Sequence, residues 1–288
     1  VIFTDFYYYI KSSSTNPHIG IIGESVGVVS ANTENTINLS NITLFMNKPN
    51  VIIATGNSSD ISFGGLVGYT KQTSILDCNV IISNQIDISC SLTDNNKEIS
   101  VGFLCGNAGD NTIVMASSVN LIGAKLNTNF TKSPRFGILC GGATGSARTN
   151  KLDVYNNIII VKDATLSSNI DLYNYGYLIG TYDNINVSLK NNNILTFGNI
   201  IFAREQLFAK IANYNQNNKI INNTTGTSGN ISLKDQIFGM VLNNDTNNDR
   251  YNMLGKSLND GIYGLVGGKD GKYCADEDGG VVCNRDVL

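Results

Sequence analysis

The chain has 288 residues, a net charge of −3, and charged side chains at only 15% of positions. That balance offers no basic field, so a nucleic-acid partner is not expected. No apolar run of about 18 residues occurs, so no candidate membrane-spanning segment exists. Asparagine fills 42 positions, but Ile, Val and Leu interrupt the polar stretches every few residues, which reads as turns between short strands. The chain opens Val1-Ile2-Phe3, without Met or a preceding basic stretch, and so reads as a processed chain or an excised piece.

Residues 1–17 combine an aromatic strand-like run, Phe3 to Ile10, with a polar turn. Ile37 to Phe45 alternates apolar and polar residues, the period of a half-buried strand. Gly20-Ile21-Ile22-Gly23 is then echoed by Phe63-Gly64-Gly65-Leu66-Val67-Gly68-Tyr69, Gly102-Phe103-Leu104-Cys105-Gly106, Gly137-Ile138-Leu139-Cys140-Gly141 and Gly176-Tyr177-Leu178-Ile179-Gly180. The final glycines, Gly23, Gly68, Gly106, Gly141 and Gly180, stand 45, 38, 35 and 39 apart. Self-similarity at such periods marks a repeat architecture whose units bury their apolar faces on one another.

The second unit predicts three strands, Ile61 to Tyr69, Ser74 to Ile82 and Ile86 to Leu92, as in one coil of a triangular solenoid. Ile158-Ile159-Ile160-Val161 is continuously apolar, as in parallel strands covered on both faces. After Gly180 the regularity decays. Residues 202–212 predict a short helix covering an open end or edge, residues 213–230 a long loop, and residues 237–242 a last degenerate rung. The expected fold is all-β. Residues 1–260 form a right-handed parallel β-solenoid of about six coils, on the order of 30 Å long. Residues 261–288 form a separate C-terminal β-hairpin.

The recurring Gly-Leu-Val-Gly, followed by a strand like Ile75-Leu76-Asp77-Cys78-Asn79-Val80, resembles the GLUG-type repeats of bacterial and protist surface proteins over residues 18–182. The resemblance implies an extended β-solenoid used as an adhesive or structural stalk. Residues 271–286, from Gly271-Lys272-Tyr273 through the acidic Asp276-Glu277-Asp278-Gly279 turn, are similar to the opening hairpin of a fascin-like β-trefoil. That likeness implies that the chain carries one hairpin of such a domain or stops just inside it.

Few residues point to chemistry. His18 is the only histidine, so nucleophilic catalysis would rest on a residue beside Pro17 in a turn. Asp60, Asp77, Asp87, Asp94, Asp110, Asp153 and Asp183 form no evident ladder of paired carboxylates and read mostly as solvated turn residues. No cofactor is expected beyond calcium, for which Asp245, Asn247 and Asp249 alternate oxygen ligands, without the glycine and distal Glu of a standard loop. Cys105 and Cys140 occupy one slot in consecutive motifs and read as stacked core residues. Cys274 and Cys283 face each other across the acidic turn and are candidates for a cross-strand disulfide. Asn-x-Ser/Thr sequons make Asn38, Asn57, Asn129, Asn186 and Asn230 candidate glycosylation sites. Tyr7-Tyr8-Tyr9 and Tyr173/Tyr175/Tyr177 can stack on sugars or simply serve as good strand formers.

Strict alternation places Phe63, Val67 and Tyr69 on one face of the motif strand. With Phe136, Cys140, Tyr177 and Ile179 they form an apolar strip that needs a cover. A strip of this kind predicts docking of a loop, of the 202–212 segment or of another protein subunit. The expected function is structural and non-enzymatic, a surface or filament protein with the solenoid as rigid spacer or assembly unit. A carbohydrate-binding adhesin, with glycans as partners, is the alternative. A third reading is an intracellular cytoskeleton-associated protein; extracellular or cell-surface placement is the first expectation.

Overall fold

Short alternating runs punctuated by Gly, Asn and Asp become strands, because each turn residue lets the chain change direction while the apolar face stays inward. The computed structural model describes residues 1–226 apart from 14–16, 31–32, 57–58, 148, 171, 173, 200, 203–213 and 217–218. The second coil comprises Ile61–Gly64, Val67–Lys71, Thr73–Leu76, Asn79–Ile82 and Gln85–Leu92. Each of these strands pairs in parallel with its counterparts in the coils before and after, which makes five walls, numbered 1 to 5 in that order.

The protein is an all-β parallel β-solenoid, and no helix occurs among the described residues. Among the described residues five complete coils start at His18, Ile61, Ile99, Arg135 and Asn174. Ile2–Phe3 and Tyr9–Ser12 extend walls 4 and 5 before them, and Tyr214–Gln216 and Lys219–Gly226 extend walls 3 and 4 after them.

Among the described residues there are five complete coils with strands of partial coils at both ends, where about six coils are expected over residues 1–260. Three expectations change. Each coil has five strands rather than three, because Ile61 to Tyr69 breaks at Gly65-Leu66 and Ser74 to Ile82 breaks at Asp77, whose φ is 51°. Part of the expected loop at 213–230 is strand, since the fifth coil offers a ready row of backbone partners whatever the side chains. The run Ile158 to Val161 is covered on one face only: Ile159 and Val161 are buried, while Ile158 is 42% exposed. Wall 1 from the second coil onward, and wall 2 over most of its length in the third to fifth coils, are covered on both faces. Phe202 ends a strand of wall 5, and the rest of the expected helix lies outside the described residues, as do the 237–242 rung and the 261–288 hairpin.

The uneven spacing resolves at the corners. Val67 pairs with Ile22, 45 residues earlier, but Thr73 pairs with Ile37, 36 earlier. The nine extra residues of the first coil hold a small antiparallel hairpin, Val28–Ser30 with Thr33–Asn35. Beyond it the register returns, so the walls stack without interruption.

Inside the stack, side chains align in columns. Leu44, Val80, Val119, Ile159 and Ile194 form one column, and Ile75, Val114, Val154 and Leu189 another, all at 0% exposure. Each such side chain contributes about 1.5–3 kcal/mol by leaving water.

The corner between walls 3 and 4 is built from left-handed residues, Asn41, Asp77, Ala116, Asn156 and Asn191, with φ between 51° and 57°. Asn and Asp tolerate that region; alanine pays for its Cβ. Ala116 is exposed, so Ala116→Asn is expected to raise stability by about 1 kcal/mol in denaturant unfolding. The next residues turn inward as a polar ladder of Cys78, Ser117, Asn157 and Asn192, each 1% exposed or less. Ser117 Oγ accepts from the Cys78 N–H at 3.1 Å, Asn157 Oδ1 from the Ser117 N–H at 3.0 Å, and Asn192 Oδ1 from the Asn157 N–H at 3.1 Å.

Candidate functional site

The repeated motif forms the join between walls 1 and 2. Glycines stand where those walls approach backbone to backbone. A Cβ on Gly64 would lie 1.9 Å from the Val67 carbonyl oxygen, and one on Gly106 would lie 2.8 Å from that of Phe63. Only a hydrogen fits there. The bend points inward: Tyr8 Oη donates to the Gly65 carbonyl oxygen at 2.6 Å, and Val80 of wall 4 lies beside Gly65.

The apolar strip is therefore covered by its own coils. Phe63, Val67, Phe136, Cys140 and Ile179 are at 0% exposure, Tyr177 is at 4% and Tyr69 is half-buried, so six of the seven strip residues are closed off within the chain. Simple alternation also fails across the bend. Thr70 Oγ1 lies 3.6 Å from Sγ of Cys105, the residue paired with Val67, whereas Tyr69 turns away to stack on His18 with ring centroids 5.1 Å apart.

Cys105 and Cys140 pair in register and are completely buried. A hydrogen bond to Cys105, then burial, push the Cys140 thiol well above its usual value. Burial alone pushes Cys90 up to about 12. Cys78, Cys90, Cys105 and Cys140 are free thiols, and the thiolate is the reactive form. All four are expected to resist iodoacetamide in the native protein and to react in denaturant, read by peptide mass spectrometry. Native labelling of Cys105 or Cys140 would contradict the closed join.

Between walls 1 and 2 runs a polar seam. His18, Ser62, Ser100, Arg135 and Asn174 form one column of it. Arg135 has an 8% exposed side chain and bridges coils: Nη1 donates to Thr144 Oγ1 at 2.6 Å, Nη2 to Asp183 Oδ2 at 2.5 Å, and Nε lies 4.0 Å from Glu98. Gly142 is small because Arg135 fills its place; a Cβ there would sit 2.8 Å from Arg135 Cδ.

Asp110, read from sequence as a solvated turn residue, is 4% exposed. It accepts from Ser146 N and Oγ at 2.7 Å each and meets Lys71 Nζ at 3.2 Å. Burial would raise its carboxyl, but hydrogen bonds from Ser146, Asn150 and Lys71 outweigh that and hold it below the usual carboxylate value. Coil alignment was the available signal, since Lys71 ends a strand of wall 2 and Asp110 lies in the turn just beyond the neighbouring strand, Cys105–Ala108.

Burial lowers His18, against the opposing pull of Glu24 and Asp60. The folded chain thus prefers neutral His18, and below the unfolded value of about 6.5 the unfolded chain binds the proton first. Stability is expected to fall as pH drops from about 6.5 into the acid range. His18→Gln should flatten the upper part of that decline in urea titrations, and an unchanged profile would contradict the half-buried placement of the imidazole.

The outer side of wall 5 is different in kind. Side chains of Tyr9, Val51, Asp87, Asn127 and Ser167 stand in one outward column, and Lys11, Ile53, Ser89 and Asn129 in the next. Val51, Ile53, Asp87, Ser89, Asn127 and Asn129 border a shallow depression of ≈ 270 Å³. Asp87 is oriented by Gln85 Nε2, at 2.9 Å to each oxygen, and by Asn127 Nδ2 at 2.7 Å. The sequence places Asp87 in the predicted strand Ile86 to Leu92 without giving it a role; alternation within Gln85–Leu92 was the signal that it faces outward.

Of the sequon asparagines, Asn38 and Asn129 are exposed and Asn186 half-buried. Asn57 and Asn230, the calcium candidates Asp245, Asn247 and Asp249, the pair Cys274/Cys283 and Tyr173 lie outside the described residues. Tyr175 and Tyr177 are buried and Tyr7 is 59% exposed. Among the described residues no three His, Cys, Asp or Glu side chains gather to hold a metal ion, and no helix is long and apolar enough to cross a membrane. The fold places the chain among parallel β-solenoids. No family model, curated protein or solved structure matches it.

Proposed function

We propose that the chain is a non-enzymatic structural protein of a cell surface or filament, with the solenoid as a rigid spacing or assembly unit. One observation carries this reading: the side chains with chemical capability act as struts between coils. Arg135 ties the fourth coil to Asp183 of the fifth, Asp110 ties the third to Lys71 of the second and Ser146 of the fourth, and Tyr69 stacks back onto His18 of the first. Such ties resist opening of one coil against the next, because nearest-neighbour terms dominate a stack of this kind. The in-register Gly-x-x-x-Gly recurrence of the second to fifth coils, which resembles GLUG-type repeats, supports the same reading. Self-assembly partners and an extracellular setting belong to this proposal, and glycans to the adhesin alternative.

Native-state hydrogen exchange tests it. Amides of wall 4 from Thr43–Met46 to Asn193–Asn199 are expected to exchange together and slowly, as one rigid unit. Independent fast opening of a middle coil would remove the rigid-unit reading.

A further inference from the structure

We propose that the outer face of wall 5 is a binding surface for neutral carbohydrate, which goes beyond the spacer role and does not depend on it. Sugar recognition needs an exposed aromatic ring for the apolar face of a pyranose and carboxylate or amide groups for its vicinal hydroxyls. Both stand in one column here. Tyr9 is 68% exposed and neighbours Val51 in register; Asp87 and Asn127 follow on the next two strands. Val51 and Ile53 give the depression an apolar floor, and Ser89 and Asn129 line its far side.

The polar groups are set in advance. Gln85 and Asn127 hold the Asp87 carboxylate, so a ligand hydroxyl meets an acceptor that has already lost its freedom to rotate. The strands that carry Val51, Asp87 and Asn127 are paired on both sides within wall 5. On those three strands a peptide finds no backbone edge to extend, the free edge of wall 5 on this side lying at Tyr9–Ser12, and the shallow floor offers no deep side-chain pocket. Lys11 and Lys125 flank Asp87 on the same face; the carboxylate at the centre disfavours an anionic sugar. A depression of ≈ 270 Å³ suits one or two sugar rings of a longer glycan lying across the strands.

The test uses the full chain and neutral tetrasaccharides of glucose, xylose and mannose, titrated by calorimetry and by ligand-observed NMR. Binding is expected for at least one of them, weakened about tenfold or more by Tyr9→Ala and by Asp87→Ala. Tyr9, Asp87 and Asn127 lie on the surface, so circular dichroism should report unchanged folding in both variants. Asn127→Ala should weaken binding in the same direction. No binding of any neutral tetrasaccharide at millimolar concentration overturns the proposal. So does binding that survives both substitutions, or binding confined to anionic sugars or peptides.

Discussion

Gly137→Ala is expected to cost about 4 kcal/mol or more and to open the solenoid around its fourth coil. The added Cβ would lie 1.8 Å from the Cys140 carbonyl oxygen and 2.8 Å from the Gly180 amide nitrogen, both backbone atoms that cannot swing aside. Relief requires walls 1 and 2 to separate, which uncovers Phe136 and Cys140, both at 0% exposure. Gly123→Ala is the matched control. Gly123 has φ +66° and nothing within 4 Å of a built Cβ, so that substitution pays only for left-handed backbone, about 1 kcal/mol. Urea unfolding of the two variants separates crowding from conformational strain. Equal losses would contradict the close approach of the walls.

Asn157→Leu is the second large effect, at about 3–5 kcal/mol. Its Oδ1 accepts from the Ser117 N–H, and its Nδ2 donates to the Val114 carbonyl at 3.0 Å and to Asn192 Oδ1 at 2.9 Å. Leucine has similar bulk but leaves the Ser117 donor and the Val114 acceptor buried without partners, at about 1–3 kcal/mol each. Asn38→Leu, at an exposed position, should change stability by no more than about 0.5 kcal/mol. Because each coil leans on its neighbours, the loss should appear first as faster amide exchange in the third to fifth coils.

The contrast between these two asparagines shows what the sequence could and could not convey. The Gly-x-x-x-Gly recurrence was legible because backbone approach admits only glycine, so the same residue returns coil after coil. The parity of the motif was not legible, since alternation holds along a strand and the chain bends at Gly65-Leu66. Asn156-Asn157 and Asn191-Asn192 look like polar turns in a chain so rich in asparagine. The first of each pair makes the left-handed corner, and the second is wholly buried. Their common position with Cys78 and Ser117 becomes visible only once the coils are aligned.

The seam was hidden for a related reason. A buried Arg135 is tolerable only because Asp183, 48 residues later, and Glu98, 37 residues earlier, come to meet it. No local pattern announces that. The outward face of wall 5 stood closer to the surface of the sequence: the alternation of Gln85–Leu92 marks Asp87 as outward-facing, but its alignment with Tyr9, Val51 and Asn127 depends on the register of four strands.

The in-register stack is most directly tested by a series of spin-label distances along wall 3. Asn38, Ser74, Ile113, Asp153 and Ser188 occupy one column, one per coil. From a label at Asn38, partners at Ile113, Asp153 and Ser188 should show backbone separations growing by about 4.8 Å per coil, reaching about 19 Å at Ser188. Separations that fail to rise with coil number would contradict the parallel solenoid and everything built on it.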